Sequence, residues 1–226
     1  MGVRKRAGDD VVVGVIGCMA EREGRRLMSR HPQIDLLCGP GELDKLPMLL
    51  DNAMKEEAVA RADRIALQGS NARRSSTLQA AEDSLELLDL SRAFDPDRAG
   101  AGGRSAYVRI TRGCNKFCTY CVVPHTRGPE IHRPPDAIVD ECRRLADAGV
   151  VEVTLLGQTV NHYRYTHGVA VTVGGGEAPQ VGPGLSAFRR PADAAAGPRV
   201  TSFADLLHRI HEEVPEILRL RFVTSY

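Results

Sequence analysis

The sequence predicts an α/β protein made of two successive units with parallel strands. Short runs rich in Val, Ile and Leu alternate with stretches whose apolar residues recur at helical spacing, once in residues 1–57 and again in residues 106–226. Strands that alternate with helices form parallel sheets, because each connecting helix packs back on a face of the sheet. Residues 58–105 are polar and lack this pattern, so we expect them to connect the two units.

The first unit is predicted to be a partial, doubly wound (Rossmann-like) unit. A strand over residues 11–16 leads into a helix over about 20–29, and Pro32 ends that helix because proline disfavours helical backbone in the residue before it. A second strand over residues 34–38 precedes a helix with apolar residues at helical spacing: Leu43, Leu46, Leu50 and Met54. Two strands are too few for a free-standing sheet, so we expect this unit to be incomplete.

The second unit begins with a strand over residues 107–110 that leads into a cysteine-rich loop. A helix over about 135–148 follows, with proline near its start and Gly149 after its end. Cys142 falls on the apolar face of this helix, and we expect it to be buried like other apolar residues there. Residues 151–156 form the next predicted strand.

Residues 165–200 are rich in Gly, Ala and Pro, a composition that cannot easily offset the entropy of ordering. We predict a flexible surface insertion there, and a loop that grips the substrate is the alternative. Ser202 and Asp205 then form a capping-box pattern that starts a helix to about Glu213. The last predicted strand covers residues 218–223.

Composition restricts the possible functions. The formal net charge of +1 gives no overall basic field for nucleic acid, and aromatic residues make up only 4% of the chain, which argues against a base-stacking platform. No apolar run approaches the roughly 20 residues needed to span a membrane. The basic start before residues 11–18 resembles a signal peptide, but Asp9 and Asp10 interrupt it and the apolar run is short. We expect a buried strand and a cytoplasmic protein.

Three cysteines with C-x3-C-x2-C spacing are the strongest chemical signal: Cys114, Cys118 and Cys121. Cysteine thiolates are the usual ligands of a [4Fe–4S] cluster, so three of them from one loop would leave one iron open to a small molecule. With His125 the same thiols could instead form a closed Cys3His zinc site. Unliganded thiols are the remaining interpretation.

Three runs of the sequence resemble the methylthiotransferase branch of the radical S-adenosylmethionine (SAM) family. One starts Cys-Asn-Lys-Phe-Cys-Thr-Tyr-Cys at Cys114 and continues to Arg133-Pro134, another reads Leu-Leu-Gly-Gln-Thr-Val-Asn over residues 155–161, and the third covers residues 14–22. The resemblance as a whole covers roughly residues 11–50, 106–164 and 203–225.

The resemblance implies that the second unit is the first half of a radical SAM partial (β/α) barrel. It also implies an activity, the methylthiolation of C2 of an isopentenylated adenosine next to the anticodon of tRNA. Sister enzymes act on threonylcarbamoyl-adenosine in tRNA or on a ribosomal protein, and the Leu-Leu-Gly-Gln run favours the isopentenylated adenosine. The resemblance further implies a tRNA partner and an electron donor such as flavodoxin or ferredoxin, and we expect a monomer.

The resemblance assigns roles to particular residues. The loop cysteines would hold the [4Fe–4S] cluster that cleaves SAM, and Cys18 matches the third ligand of an auxiliary [4Fe–4S] cluster that provides sulfur. Arg127 and Asn161 are candidate substrate contacts. Candidate SAM contacts lie beside the loop and at two strand ends: Tyr120, Gly157, Gln158, Thr224 and Ser225.

One departure from the family pattern limits the expected activity. The other two auxiliary ligands would precede Met1, and the barrel would continue after Tyr226, so we expect a chain truncated at both ends. Such a chain is not expected to insert sulfur by the family's route. Two alternatives involve no catalysis: a zinc-stabilised module and an inert fragment of an enzyme.

Overall fold

A computed structural model of the chain forms two compact units. Unit 1 contains the described residues up to 67 together with 118–128, and unit 2 contains 104–117 and 129–223. The second and third cysteines of the motif therefore belong to unit 1, although the sequence predicted the whole motif in the second unit. The structure describes residues 11–55, 61–67, 104–172, 174–182 and 199–223.

Unit 1 has a parallel sheet with strand order β1-β2-β3. Val15 of β1 lies opposite Leu37 of β2, and Cys38 of β2 lies opposite Ala66 of β3. The elements of this unit are β1 (Gly14–Ile16), α1 (Cys18–Glu23), α2 (Arg25–Arg30), β2 (Leu36–Cys38), α3 (Leu46–Met54), β3 (Ile65–Ala66) and α4 (Val123–Thr126).

The doubly wound character predicted for unit 1 follows from its central strand. Leu36 and Leu37 point to opposite faces of β2 and both are buried, because helices cover both faces of the sheet. Two departures from prediction occur. The helix expected over residues 20–29 is split at Gly24, whose φ of 56° lies in the left-handed region that a helix cannot use. The strand β3 lies in the range 58–105, which was predicted to be a connection.

Unit 2 contains a parallel sheet with strand order β11-β7-β4, together with two small antiparallel arrangements, β5-β6-β9 and β8-β10. Its elements are β4 (Ser105–Arg109), β5 (Thr111–Arg112), β6 (Ile131–His132), α5 (Pro135–Asp147), β7 (Glu152–Leu156), β8 (Arg164–Thr166), β9 (Gln180–Val181), β10 (Val200–Ser202), α6 (Phe203–Glu213) and β11 (Arg219–Phe222).

The parallel sheet of unit 2 and its helices α5 and α6 enclose the larger core. The three strands predicted over residues 107–110, 151–156 and 218–223 are present and parallel, as a β-α-β-α-β order requires. The parallel arrangement is confirmed, whereas closure into a partial barrel stays a prediction. Within the described ranges, no helix is long and apolar enough to cross a membrane. The most deeply buried apolar side chains include Val108, Ile138, Val139, Cys142, Val153, Tyr165, Leu206 and Ile210.

Two local predictions for unit 2 are confirmed. Ser202 accepts a hydrogen bond from the Asp205 N–H, and the Asp205 carboxylate accepts one from the Ser202 N–H, which is a capping box at the start of α6. Cys142 is fully buried. Residues 165–182 differ from the expected flexible insertion, because β8, β9 and hydrogen-bonded turns occupy the described part of that range.

Candidate functional site

The first cysteine of the motif belongs to unit 2 and lies two residues after β5. Cys114 is buried, with 7% of its surface exposed, and its Sγ accepts a hydrogen bond from the Lys116 N–H at 3.5 Å. This contact orients the Cys114 sulfur within the loop. The Gly113 N–H just before it donates to Gln158 Oε1 at 2.7 Å, so the end of β7 fixes the start of the loop.

A change of backbone direction separates the first two cysteines. Phe117 has a φ of 48°, and among the described residues it is the one non-glycine residue with positive φ. This conformation costs a bulky L-residue roughly 1–2 kcal/mol. Strained backbone of this kind persists where the surrounding structure requires a sharp turn, and here it occurs between two candidate ligands.

The other two cysteines lie in unit 1. Cys118 is exposed and Cys121 is half-buried, and the Cys121 N–H donates to the Cys118 carbonyl at 2.9 Å, which closes a turn. The chain then enters α4, where Pro124 suits the first turn because its missing N–H would have no partner there. Tyr120 is 92% exposed, so its ring is available for stacking.

The thiols fit an iron–sulfur cluster in their chemistry. All six cysteines of the chain are free, so none of the loop thiols is consumed in a disulfide. In the part of the chain that the structure describes, no three His, Cys, Asp or Glu side chains converge as a bound metal ion requires. The assignment of Cys114, Cys118 and Cys121 as ligands therefore stays a prediction that rests on their type, state and spacing.

The remaining buried cysteines have a different character. Burial, reinforced by the nearby Glu42 carboxylate, raises the pKa of Cys38 to about 11. Burial, reinforced by Glu141, raises the pKa of Cys142 to about 12. Both thiols stay protonated near neutral pH and are poor metal ligands. The sequence prediction that Cys142 is a buried, structural residue is consistent with this burial.

The carboxyl end of β7 forms a tight polar corner in unit 2. A Cβ atom on Gly157 would lie 2.1 Å from Thr111 Oγ1 and 3.2 Å from Val160 Cγ1, so only glycine fits there. Thr111 and Thr159 are buried, and their hydroxyl oxygens have no hydrogen-bond partner within the described residues. A bound polar group would satisfy them, since a buried hydroxyl without a partner costs about 1–3 kcal/mol.

Sequence reasoning identified Gly157 and Gln158 at this corner but missed the two threonines. Alternating apolar and polar residues predict which face of a strand is buried. Thr111 comes just after the predicted strand 107–110, where this alternation ends, so its burial could not be predicted in this way. The other predicted contacts are less defined. Asn161 is exposed and Arg127 is half-buried at the end of α4, whereas Thr224 and Ser225 lie outside the described residues.

Cys18 lines a cavity of about 430 Å³ within unit 1. The thiol follows Gly17, whose φ of 98° turns the chain from β1 into α1. The wall of the cavity includes Val122, the residue after Cys121, because α1 packs against α4. Besides Cys18, four ionisable side chains line the same cavity: Arg22, Glu23, Arg30 and His31.

Known proteins with similar sequences agree with this chemistry. A model of the radical SAM superfamily matches residues 108–177. Over 222 residues, 98% of its length, the chain is 38% identical to a protein of Acidithiobacillus ferrooxidans (strain ATCC 53993 / BNL-5-31) named tRNA-2-methylthio-N(6)-dimethylallyladenosine synthase. Proteins of the same name from Burkholderia mallei (strain SAVP1) and Burkholderia pseudomallei (strain 668) are 34% identical over the same length. The chain spans 38% of the length of these curated relatives. Over 98% of its length the chain is thus similar to part of a radical SAM methylthiotransferase.

Proposed function

We propose that this chain provides the SAM-cleaving part of an enzyme that methylthiolates an adenosine in tRNA. Cys114, Cys118 and Cys121 are the proposed ligands of a [4Fe–4S] cluster. The observation that supports this most directly is the presence of three free thiols in one short loop, one of which accepts a backbone N–H at its sulfur. The names of the relatives support the reaction and the substrate.

The cluster, when bound, would supply one electron that cleaves a carbon–sulfur bond of SAM. The chain's own residues hold the thiols in place. Gln158 Oε1 accepts a hydrogen bond from the Gly113 N–H, and the Lys116 N–H donates to the Cys114 sulfur. The exposure of Cys118 leaves that thiol accessible to incoming iron. A low-potential donor such as flavodoxin or ferredoxin is the proposed source of the electron.

SAM is proposed to contact the corner at the end of β7. The hydroxyl groups of Thr111 and Thr159 are buried there without partners in the described residues. A side chain at position 157 would collide with Thr111, so glycine keeps this corner open. These groups would hydrogen-bond polar atoms of SAM, together with Gln158. Tyr120 is proposed to stack on the adenine, because its ring is almost fully exposed. Thr224 and Ser225 remain proposed contacts on the resemblance alone.

Cys18 is the proposed auxiliary-cluster ligand of this chain. Once the three loop thiols are assigned and the two buried thiols are excluded, Cys18 is the one cysteine left, and one thiol does not hold a four-iron cluster. Its cavity borders Val122, the residue after Cys121, within unit 1. Sulfur insertion by this chain alone is therefore not proposed.

The proposed substrate is an isopentenylated adenosine beside the anticodon, modified at C2. Arg127 and Asn161 are proposed to contact the tRNA. Mass spectrometry of tRNA nucleosides from a strain that lacks the gene provides the test. Loss of the methylthio-isopentenyl nucleoside is expected. Its persistence, with loss of a methylthio group from threonylcarbamoyl-adenosine or from a ribosomal protein, would assign the sister substrate instead.

Anaerobic reconstitution with iron and sulfide tests the cluster itself. The chain is expected to take up about four irons, with visible absorbance that dithionite bleaches. Cys114→Ala should prevent this uptake, whereas the matched control Cys18→Ala should leave it unchanged. A colourless protein with one zinc, or equal iron in the Cys114→Ala chain, would contradict the proposal and favour a zinc-stabilised module.

A further inference from the structure

A closed set of hydrogen bonds connects the residue after Cys114 to two strands of unit 2. Asn115 Oδ1 accepts from the Glu130 N–H at 3.0 Å, and Asn115 Nδ2 donates to the Gly182 carbonyl at 3.4 Å. The Gly182 N–H in turn donates to the Glu130 carbonyl at 2.7 Å. The Asn115 amide thus bridges the residue before β6 and the residue after β9.

The strand β6 is itself anchored by a buried pair of side chains. His132 Nε2 lies 2.9 Å from Glu130 Oε1, and the side chains of both residues are almost completely excluded from solvent. The other ring nitrogen, Nδ1, lies 2.9 Å from the Arg164 carbonyl oxygen and 3.1 Å from the Arg164 backbone nitrogen. Buried polar groups with satisfied partners give a rigid arrangement, because any displacement leaves them without water or protein partners.

Gly182 packs directly against this pair. A Cβ atom there would lie 2.6 Å from His132 Nε2, 2.9 Å from its Cε1 and 3.3 Å from Glu130 Cγ. Its φ is outside the left-handed region, so the requirement is for space and not for unusual backbone. The end of β9 can approach the pair only because residue 182 has no side chain.

A second polar cluster lies between Arg164 and Gly182 along the chain. His167 Nδ1 lies 2.8 Å from Glu177 Oε1, and its Nε2 lies 2.8 Å from Thr201 Oγ1. The Gly168 N–H also donates to Glu177. The described residues of 164–182 are therefore held at both ends, by Arg164 and Gly182, and also between them, by His167 and Glu177.

We propose that residues 164–172 and 174–182 form a support for the cysteine loop, with Asn115 as the positioning residue that connects the loop to them. The support holds the backbone next to Cys114 in the direction that its sulfur needs to ligate iron. This inference rests on the proposed function, since it assigns Cys114 to the cluster. It also gives the segment a role that its composition does not suggest.

Two variants break the same link from opposite sides. Asn115→Ala removes the bridging amide, and Gly182→Ala pushes the end of β9 away from His132. Their matched controls are Asn52→Ala, which removes an amide that donates to the Asp63 carbonyl in unit 1, and Gly176→Ala, whose added Cβ would lie 3.4 Å from Thr172 Oγ1 in ordinary contact.

The first measurement uses the chain without iron. Amide hydrogen exchange of the Glu130 N–H should become about tenfold faster in both variants and remain unchanged in both controls. Because no cluster is involved, this result is independent of the proposed function. Unchanged exchange in Asn115→Ala would overturn the inference even if Gly182→Ala failed to fold.

The second measurement uses the reconstituted chain. Both variants should lose iron to a chelator about tenfold faster than the wild type, and the electron paramagnetic resonance spectrum of the reduced cluster should shift at equal iron content. The double variant should be no worse than the more affected single variant, because both changes break one link. Wild-type retention rates and spectra in both variants would overturn the support, whereas failure of the wild type to bind iron would contradict the proposed function instead.

Discussion

The cysteine loop and the core beneath α5 place the same side chain in opposite environments. In the loop, Cys118 is exposed and Cys121 half-buried, on backbone that follows a strained residue, Phe117. In the core, Cys142 has no exposed surface and packs among apolar side chains of unit 2. Cys114 of the loop is buried as well, but its sulfur accepts the Lys116 N–H. The difference teaches that the polar or apolar surroundings of a thiol decide whether it acts as a ligand or as a small hydrophobic group.

Removal of one thiol from each region gives the largest expected contrast. Cys121→Ser should abolish [4Fe–4S] uptake, because a hydroxyl does not replace the thiolate ligand. Cys142→Ala should keep wild-type uptake, because its thiol is buried and protonated. Iron and sulfide analysis after anaerobic reconstitution measures both. If both variants lost iron while circular dichroism showed both to be folded, the loop thiol and the core thiol could not be assigned different roles.

Chemical modification separates the two regions without any substitution. A pKa of about 12 for Cys142, against an ordinary 9.0, lowers its reactive thiolate fraction near neutral pH roughly a thousandfold. Iodoacetamide should label Cys118 in the folded, iron-free chain and leave Cys142 unlabelled.

Peptide mass spectrometry measures the labelling site by site. The chain unfolded in urea is the control, since every cysteine should then react. Equal labelling of Cys118 and Cys142 in the folded chain would show that the core opens readily and would break the comparison.

Stability at alkaline pH sharpens the contrast further. Burial raises the pKa of Cys142 in the folded state, so the unfolded chain releases this proton at lower pH than the folded chain does. The resulting stabilisation is fully present below about pH 9 and is lost as pH rises towards 12. Between about pH 8 and pH 10, the free energy of unfolding of the wild type should fall by about 1 kcal/mol relative to Cys142→Ala.

Urea denaturation at a series of pH values provides that measurement. Cys38 and the buried tyrosines titrate in both proteins, so their contributions cancel in the difference. Parallel pH profiles for the wild type and Cys142→Ala would mean that the thiol is not desolvated in the folded state.

The most local effect is expected at the exposed start of α6, away from any thiol. Ser202→Ala removes the capping hydroxyl of α6 and should lower the free energy of unfolding by about 1 kcal/mol. The Ser202 hydrogen bond also lowers the pKa of Asp205, so this contribution is present above the ordinary value of 3.8 and is lost as pH falls below it. Iron uptake should stay unchanged, and a loss of iron would mean that core stability and loop chemistry are coupled.

Prediction from sequence succeeded where short-range signals were strong. The capping box of α6, the burial of Cys142 and the three parallel strands of unit 2 depend on spacing within one element, and all are present. It failed where a single residue decided the outcome. Gly24 splits a helix whose apolar pattern looked continuous, and β3 is only two residues long, too short for a periodic signal.

The site was predicted less evenly than the fold. Gly157 and Gln158 were identified at the end of β7, and Gln158 does bond the loop through Gly113. Thr111 and Thr159 were missed, because their importance comes from packing around Gly157 and not from any motif. The support for the loop was also missed, since its composition indicated flexibility.

The sequence by itself determined the chemistry available to this protein. Three closely spaced cysteines, a capping box and alternating apolar runs are local patterns, so they can be interpreted before the fold is known. Tertiary structure alone decided which thiols are exposed, which unit each part of the loop joins, and what supports it. The physical reason is range: the bond between Asn115 and Gly182 joins residues 67 positions apart, and it exists only after the strands between them have folded against each other.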